Sequence, residues 1–272
     1  MNELKGLIKQ EIAQLSGKPS VLPEPTGRVG QEPVCPLCAD QGIIYDATQD
    51  LARPCSCMRQ KNLYHRFRHA RISQQLQACS FARFDLSYYE SSEDRDRTHE
   101  KNARTALRAA VDFCASCAQH PDGLGLFFTG PVGSGKTFLA AAMANDLLRQ
   151  GVQILFVVVP DLLDEIKSTY DQHSEISEYD LIETARTVQV LILDDLGAHN
   201  YTDWTINKIY TILNYRLNEK LPTIITTNLS VREMGEFLGD RTTSRVVEMT
   251  QGYQLSCDRD IRLQKYQRRA KK

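Results

Sequence analysis

The loop Gly130-Pro-Val-Gly-Ser-Gly-Lys-Thr137 constrains the fold of this chain more than any other stretch of its sequence. An apolar run over 124–129 precedes the loop and predicts a buried strand, and an Ala- and Leu-rich segment over 138–149 follows it and predicts a helix. A strand, a G-x-x-x-x-G-K-[ST] loop and a helix in this order are typical of a phosphate-binding P-loop. The alternative, a glycine-rich turn with a solvated lysine, does not explain why motif and context agree.

The residues of this loop have expected roles toward a nucleotide. Its glycines let backbone N–H groups turn inward around a phosphate, and the following helix adds the partial positive charge of its N-terminus. Lys136 is expected to reach the β- and γ-phosphates, and the Thr137 hydroxyl is expected to bind Mg²⁺. The predicted nucleotide-binding residues of the loop and the helix start are Gly130, Pro131, Val132, Gly133, Ser134, Gly135, Lys136, Thr137 and Phe138.

A second set of functional groups is predicted where two later strands end. The apolar run 190–193 leads into Asp194 and Asp195, which at the carboxyl edge of a sheet can hold Mg²⁺ through water and orient an attacking water, respectively. Two acids in a surface turn are the alternative, but the apolar strand before them favours a place beside the core. Asn228 follows the strand 223–227 and is placed either to bond a γ-phosphate or the attacking water, or to cap a turn.

The alternation of strands and helices after the loop predicts an α/β fold. Strand-like runs over 154–159, 190–193 and 223–227 alternate with amphipathic helices over 160–170, 180–187 and 202–218. This order predicts a parallel sheet with helices on both faces. After a short strand near 253–256 the sequence leaves no room for a full helical lid. The sequence has no N-K-x-D element for recognising guanine, because Asn207-Lys208 continues into Ile209-Tyr210 within a helix. ATP is therefore the expected nucleotide.

Four cysteines near the N-terminus have the spacing of a structural zinc site. Cys35 and Cys38 form a C-x-x-C pair, and Cys55 and Cys57 form a tighter C-x-C pair. Two such pairs can surround Zn²⁺ with four thiolates, which would close the site to catalysis. A redox pair and incidental cysteines are the alternatives.

Other potential metal ligands have simpler interpretations. His65 and His69 are interpreted as exposed polar residues of a basic helix, since the four cysteines suffice for one zinc. Cys114 and Cys117 lie three residues apart on an apolar helix face, where cysteines are more often small buried apolar residues than metal ligands.

Charge and hydropathy limit the possible partners. The formal net charge is −1, so a nucleic acid would have to contact a local basic patch. One such patch lies between Arg259 and Lys272, although a solvated basic tail without a partner is the favoured interpretation. No apolar run approaches the ~20 residues that a membrane span needs. The first residues lack the features of a secretion signal, and a cytoplasmic protein is expected.

Several of these stretches together resemble the AAA+ ATPases of the DnaC/DnaI helicase-loader type. They are Leu193-Asp-Asp-Leu-Gly197, Thr226-Thr-Asn-Leu-Ser230, Gly239-Asp-Arg-Thr-Thr-Ser-Arg245 and Asp260-Ile-Arg262. The cysteine-containing unit joined to Phe84-Asp-Leu-Ser-Tyr-Tyr89 resembles the amino-terminal half of loader-like proteins from Gram-positive bacteria and their phages. The resemblance covers about residues 33–265 of the sequence.

The resemblance implies further roles for particular residues. It assigns Asp194 to Mg²⁺, Asp195 to the attacking water and Asn228 to sensing the γ-phosphate. Arg245 would be an arginine finger offered to a neighbouring subunit's ATP, and Arg262 a second sensor, unless each forms only a surface salt bridge. Many AAA+ enzymes have Glu at the position of Asp195, so slow, stimulated hydrolysis is expected.

The same resemblance implies nucleic-acid and protein partners. In the initiator and loader branch a helical insertion faces single-stranded DNA, and the matching stretch, 161–186, offers Lys167 for phosphate and Tyr170 for base stacking. An amphipathic surface helix is the alternative. The implied partners are a DnaB-type replicative helicase, single-stranded DNA and further copies of the chain.

Two other functions share the P-loop. An IstB-type transposition helper ATPase has the same ATPase motifs, and a small-molecule phosphotransferase would need phosphate-binding arginines in a lid that the sequence lacks. The predicted organisation is a helix and linker over 1–32, a zinc-binding and helical domain over 33–80, an AAA+ ATPase domain over 81–256 and a basic helix or tail over 257–272.

Overall fold

The fold was determined from a computed structural model of the 272-residue chain. It describes residues 38, 43–46, 51–54, 74–90, 97–117, 123–169, 177–198 and 201–270. The contacts divide the chain between Cys55 and Ser56 into two compact units. In the first unit, β1 (Ile43–Asp46) and β2 (Leu51–Pro54) form an antiparallel pair with Ile43 opposite Pro54.

The predicted zinc ligands lie mostly outside the described residues. Cys35, Cys55 and Cys57 are not described, whereas Cys38 is described and its side chain is buried. Within the described ranges, no group of three or more His, Cys, Asp or Glu side chains is arranged to hold a metal ion. The zinc site therefore stays a prediction.

The second unit alternates helices and strands around one sheet. Two single-turn 3-10 helices, Phe81–Arg83 and Leu86–Tyr88, separate its first two helices. The helices are α1 (Gln74–Gln77), α2 (Thr98–Cys117), α3 (Lys136–Arg149), α4 (Val159–Ser168), α5 (Glu178–Thr187), α6 (Asp203–Asn218), α7 (Val231–Met249) and α8 (Ile261–Ala270). The strands are β3 (Gly125–Thr129), β4 (Ile154–Val158), β5 (Val190–Leu196), β6 (Thr223–Thr227) and β7 (Thr250–Gln254).

The sheet is parallel throughout, in the order β4-β5-β6-β3-β7. Because successive side chains of a strand point to opposite faces, the buried residues form two clusters. Phe128 and Phe156 belong to the cluster that contains α2 and α3, whereas Phe127 and Leu155 belong to the cluster that contains α4 to α7. Helices on both faces explain why β4 and the first four residues of β5 are continuously apolar. The predicted α/β fold is confirmed, and β6 separates the P-loop strand β3 from β5.

Several helices begin at capping residues. Ser177, Thr202 and Ser230 each accept a hydrogen bond from the backbone three residues later, and their partners Asp180, Thr205 and Glu233 complete capping boxes. Within α7, Gly239 has φ 77° and ψ 157°, so the helix is kinked there. Such a backbone conformation is readily available only to glycine.

The larger unit includes residues that the sequence analysis placed with the zinc-binding domain. The Asn145 side chain of α3 donates hydrogen bonds to the carbonyl oxygens of Leu76 and Cys79, at 2.8 and 2.9 Å, so the segment around α1 packs on the ATPase core. Cys114 and Cys117 are buried in that core, as expected for small apolar residues. In the described part of the chain, no helix is long and apolar enough to cross a membrane.

A buried arginine joins three elements on the side of the sheet that carries α4 to α7. Arg216 of α6 is fully buried, and its guanidinium donates to the carbonyl oxygens of Ala185 and Val188 near the end of α5, at 3.1 and 2.7 Å. It also donates to Pro222 O at 2.7 Å and to Thr223 Oγ1 at 2.9 Å at the start of β6. Burial lowers the pKa of Arg216 to about 9, which leaves it protonated at neutral pH. These contacts connect α5, α6 and β6 through one side chain.

Candidate nucleotide-binding site

The P-loop is held in place by residues from outside the motif. Gly133 has φ 74°, and a β-carbon there would lie 2.1 Å from the Asp260 carboxyl carbon. Gly135 has φ 93°, and a β-carbon there would lie 2.6 Å from the Tyr89 hydroxyl oxygen, which donates to Ser134 O at 2.6 Å. Both positions therefore need glycine, for the backbone conformation and for close approach. The loop's shape depends on the segments that carry Tyr89 and Asp260.

Lys136 is the buried cation of the site. Its ammonium donates to the carbonyl oxygens of Gly130 and Pro131, both at 2.8 Å, and to Asn228 Oδ1 at 2.7 Å. The Asn228 amide nitrogen in turn donates to Asp195 Oδ1 at 3.0 Å. Asn228 thus connects the P-loop lysine to the second acid of the sheet edge, so both acid and amide lie where the sequence predicts them.

Asp194, the first acid of the same sheet edge, contacts two hydroxyl groups. Its Oδ1 accepts hydrogen bonds from the Thr137 hydroxyl at 3.0 Å and from the Thr226 hydroxyl at 2.6 Å. A hydroxyl and a carboxylate oxygen are the donors that Mg²⁺ prefers, so Thr137 and Asp194 fit the ion that the P-loop fold implies. The Thr226 hydroxyl also accepts from the Asp195 backbone N–H at 3.0 Å, which makes Thr226 a link between the two acids.

An irregularity in β5 brings both acids to the site. The register with β6 shifts between Leu193 and Leu196, and Asp195 has φ 60°. In a regular strand, consecutive side chains would point to opposite faces. The bulge instead lets Asp194 contact Thr137 while Asp195 contacts Asn228. Aspartate tolerates positive φ better than most residues do.

Burial shifts the charges of the site. It lowers the pKa of Lys136 to about 8, against the attraction of Asp195 and Asp194, which raises it. Burial also raises the pKa of Asp194, whereas the hydrogen bonds from Thr226 and Thr137 lower it. A bound phosphate would add negative charge beside Lys136, and a bound cation would favour the Asp194 carboxylate.

The last helix also reaches the P-loop. The Ile261 N–H donates to Gly133 O at 3.0 Å, which fixes the start of α8 against the loop. Asp260 accepts from the Arg262 N–H at 2.7 Å, and the charge of Arg262 contributes to lowering the pKa of Lys136. Arg262 therefore lies close enough to the P-loop for its charge to act on Lys136.

The matched sequence family agrees with this geometry. A family model described as IstB-like ATP binding protein matches residues 63–248, which is more than half of the chain. The chain belongs to this family. As an IstB-like protein with a P-loop, it binds ATP, and the Lys136 and Thr137 environment is where the phosphates and Mg²⁺ would lie.

Individual relatives of this IstB-like chain are replication proteins. The chain is 29% identical to the replicative helicase loader DnaI of Bacillus subtilis (strain 168) over 164 residues, which are 60% of this chain and 48% of DnaI. It is 34% identical to the replicative helicase loader DnaC of Escherichia coli (strain K12) over 119 residues, which are 44% of this chain and 48% of DnaC. The matches span about half the length of these curated relatives.

The fold of the IstB-like chain is similar to that of a solved loader. A crystal structure of the DnaC helicase loader superposes with a TM-score of 0.55 at 26% identity, over 68% of this chain and 100% of that one. The chain is therefore a member of the AAA+ ATPase class, with a five-stranded parallel sheet flanked by helices.

The remaining predicted residues of the IstB-like chain are Arg245, Lys167 and Tyr170. Arg245 follows the kink of α7, where it donates to Asn214 Oδ1 at 3.0 Å and pairs with Glu248 at 3.2 Å. Lys167 lies at the end of α4, 3.7 Å from an Asp164 oxygen. Tyr170 lies outside the described residues.

Sequence reasoning missed three residues of the site. It noted Tyr89 only within an aromatic segment, Thr226 only as a strand residue before Asn228, and Asp260 only beside Arg262. Of these, Thr226 had a usable signal, because a threonine at the same strand end as Asn228 is expected to lie at the same sheet edge.

Proposed function

We propose that this chain is an ATP-dependent loader that binds a DnaB-type replicative helicase and single-stranded DNA in the cytoplasm. The observation that carries the proposal is the connection Lys136–Asn228–Asp195, which couples a phosphate-binding cation to an acid at the sheet edge. The similarity to two replicative helicase loaders supports the choice of partner.

The site has the groups that a nucleotide switch needs. Lys136 would bind the β- and γ-phosphates, while Thr137 and Asp194 would hold Mg²⁺, which neutralises phosphate charge when bound. Asp195 would orient the attacking water, and Asn228, which contacts both Asp195 and Lys136, would change partners when a γ-phosphate arrives. Arg262 would contact the nucleotide from the start of α8, and Arg245 would act on a neighbouring subunit's nucleotide.

The proposed contact with single-stranded DNA uses the end of α4. Lys167 is half-exposed there, as a phosphate-binding residue should be, and Tyr170 follows shortly after it in the chain. Because Lys167 also pairs with Asp164 of its own helix, a surface helix without a ligand remains the alternative.

Hydrolysis assays with defined partners test this function. We expect ATP turnover to rise when both a DnaB-type helicase and single-stranded DNA are added, and the helicase to co-purify with the chain in the presence of ATP. Lys136→Ala should lose ATP binding, whereas Asp195→Asn should keep binding and lose turnover, since Asp195 acts in the transition state. Equal loss of binding in both variants, or indifference to the helicase, would contradict the assignment.

A transposition helper is the second candidate, because the matching family is described as IstB-like. Such a protein would be stimulated by double-stranded target DNA and a transposase rather than by a helicase. Stimulation with each partner in parallel assays distinguishes the two functions.

A structural zinc completes the proposed organisation. Cys38 is buried, which suits a ligand in a closed site, and the other three proposed ligands are Cys35, Cys55 and Cys57. Purified protein should hold about one zinc per chain, and Cys38→Ser should unfold the amino-terminal unit while leaving ATP binding intact. Stoichiometric zinc in a variant lacking both Cys35 and Cys38 would contradict this site.

A further inference from the structure

The last helix, α8, is basic and has two different faces. Its ten residues, Ile261–Ala270, include four basic side chains and no acidic one. Since a helix turns about 100° per residue, residues three or four apart share a face. Ile261, Lys265 and Arg268 lie on one such face, and Arg262, Tyr266 and Arg269 lie on another.

The first face packs on the core. Ile261 is buried, and the Lys265 ammonium lies 5.5 Å from the Tyr88 ring centroid and 5.3 Å from that of Phe138. The Arg268 guanidinium lies 4.2 Å from the Tyr88 ring centroid. Cation–π contacts of this kind account for the two basic residues of this face. They therefore have a structural role and are not part of a solvated tail.

The second face has no such account. Tyr266 is 73% exposed and the neighbouring Leu263 is 62% exposed, while Arg262 and Arg269 are also exposed. Arg262 precedes Tyr266 by one turn and Arg269 follows it by one turn, so the exposed ring lies between two cations. The charges of α8 are not neutralised by acids of the same helix, in contrast to Arg232 and Glu236 of α7, which pair at 3.3 Å.

We propose that this face of α8, formed by Arg262, Tyr266 and Arg269, binds single-stranded nucleic acid in the nucleotide-free chain, in which Arg262 has no nucleotide to contact. A flat exposed ring can stack on an unpaired base, and flanking guanidinium groups can contact the phosphates on either side. Duplex bases are already stacked on each other, so a ring of this kind favours single strands. The site is separate from Lys167 and Tyr170 in sequence and lies on the helix that begins at the P-loop.

An acidic protein surface is the other possible occupant of a basic helix face. It would use the charges of Arg262 and Arg269, but it would gain little from a ring at the centre of the face. The exposed Tyr266 between the two cations therefore favours nucleic acid, and a polyanion without bases serves as the competitor that distinguishes the two.

The test measures binding of a fluorescent single-stranded oligonucleotide to the full chain, without nucleotide or helicase, over a range of salt concentrations. Tyr266→Ala should weaken binding by about 5- to 150-fold, the equivalent of one lost stacking contact. Tyr266→Phe should bind like the parent chain because the ring is kept. Arg269→Ala should weaken binding and reduce the slope of log affinity against log salt by about 0.7, the value for one phosphate contact on a single strand.

Phe237→Ala is the matched control. Phe237 is 53% exposed on α7, outside both α8 and the stretch 161–186, and it follows Glu236 in the chain, so its removal should leave the affinity unchanged. The inference is overturned if Tyr266→Ala binds like the parent chain, if Tyr266→Phe is as weak as Tyr266→Ala, or if poly-glutamate competes as well as an unlabelled oligonucleotide. Equal affinity for a duplex would also overturn it.

This inference deepens the DNA-binding part of the proposed function but can fail separately from it. If the α8 variants bind oligonucleotide normally while the chain still responds to helicase, the loader function stands and the α8 site is wrong. If the α8 site binds as expected but no helicase stimulates hydrolysis, the site stands and the loader function is wrong.

Discussion

Lys136 is a buried cation whose partners in the free chain are neutral oxygens as well as nearby acids. Its ammonium contacts two P-loop carbonyl oxygens and Asn228 Oδ1, and its pKa is lowered to about 8 by burial. At about pH 8, Lys136 is therefore protonated in only a fraction of the nucleotide-free molecules. Phosphate oxygens of a bound nucleotide would favour the charged form and raise this pKa.

We therefore predict that ATP binding takes up protons above about pH 8, because the lowered pKa of free Lys136 rises in the complex. The sign follows from which state holds more protons: the complex does, so affinity should fall as pH rises through this value. Calorimetry at a fixed pH in two buffers with different ionisation enthalpies measures the uptake directly. Lys136→Arg provides the control, since arginine stays protonated in both states.

Identical binding heats in the two buffers for the parent chain would contradict the lowered pKa. A proton uptake that survives in Lys136→Arg would assign it to another group.

The Thr226 hydroxyl bonds both acids of the sheet edge. Thr226→Val removes the donor to the buried Asp194 and the acceptor of the Asp195 N–H. Mg²⁺-dependent ATP turnover should therefore fall by about 5- to 150-fold, as expected for about 1–3 kcal/mol from an unmet buried hydrogen bond. Thr223→Val is the matched control on the same strand. It loses a bond to Arg216 instead, and should lower stability without changing turnover per folded molecule. Steady-state turnover and urea unfolding of both variants separate the two effects.

The candidate site was only partly predictable, and particular residues show why. Lys136, Thr137, Asp194, Asp195 and Asn228 were found because each lies in a motif or at the end of an apolar strand. Tyr89 and Asp260 contact the P-loop from segments distant in sequence, and local pattern carries no information about such long-range contacts. The bulge that brings Asp195 to Asn228 was also invisible, since it depends on pairing between β5 and β6.

Among the elements, α5, α6 and β6 are joined by the buried Arg216. Arg216→Met should lower the free energy of unfolding by about 4 kcal/mol, because several buried carbonyl oxygens lose their donor at once. The free energy of unfolding of Arg216→Lys should lie between those of the parent chain and Arg216→Met, since an ammonium cannot reproduce the planar set of donors. Urea denaturation measures the change, with Arg232→Met, at a side chain 90% exposed, as the control expected to stay within about 0.5 kcal/mol. A small effect at Arg216 would mean that water can replace its hydrogen bonds.

Most elements were predictable because their patterns are local. The strand 223–227 was predicted with its observed bounds, and the helix after the P-loop begins only two residues before the predicted 138. The last strand lies at Thr250–Gln254 and not at 253–256, since it is short and its register is set by β3. The kink at Gly239 was missed because a glycine within a helical pattern does not by itself indicate a positive φ.

We predict that Arg245 acts only when chains assemble. Its guanidinium is about one-third exposed and contacts Asn214 and Glu248 of its own chain. Arg245→Ala should leave the ATP affinity of the isolated chain nearly unchanged. It should also lower the hydrolysis stimulated by helicase and single-stranded DNA by an amount on the order of 10³ if it acts as a finger.

Mixing two inactive variants tests this directly. Arg245→Ala chains retain a P-loop lysine and Lys136→Ala chains retain the arginine, so a shared boundary between them should recover part of the activity. A mixture that stays inactive, together with parent turnover that does not depend on protein concentration, would place the whole site within one chain.

The position of β3 inside the sheet has a consequence for the time at which the site can exist during synthesis. β3 pairs with β6 on one side and β7 on the other, and Thr129 at its end bonds Leu229, 100 residues later in the chain. A ribosome adds about 5–20 residues per second, so the P-loop sequence emerges several seconds before its neighbours do. A nascent or prematurely terminated chain that ends before β7 therefore carries the nucleotide motif on a strand that is unpaired on one side, and a chain that ends before β6 carries it on a strand that is unpaired on both sides.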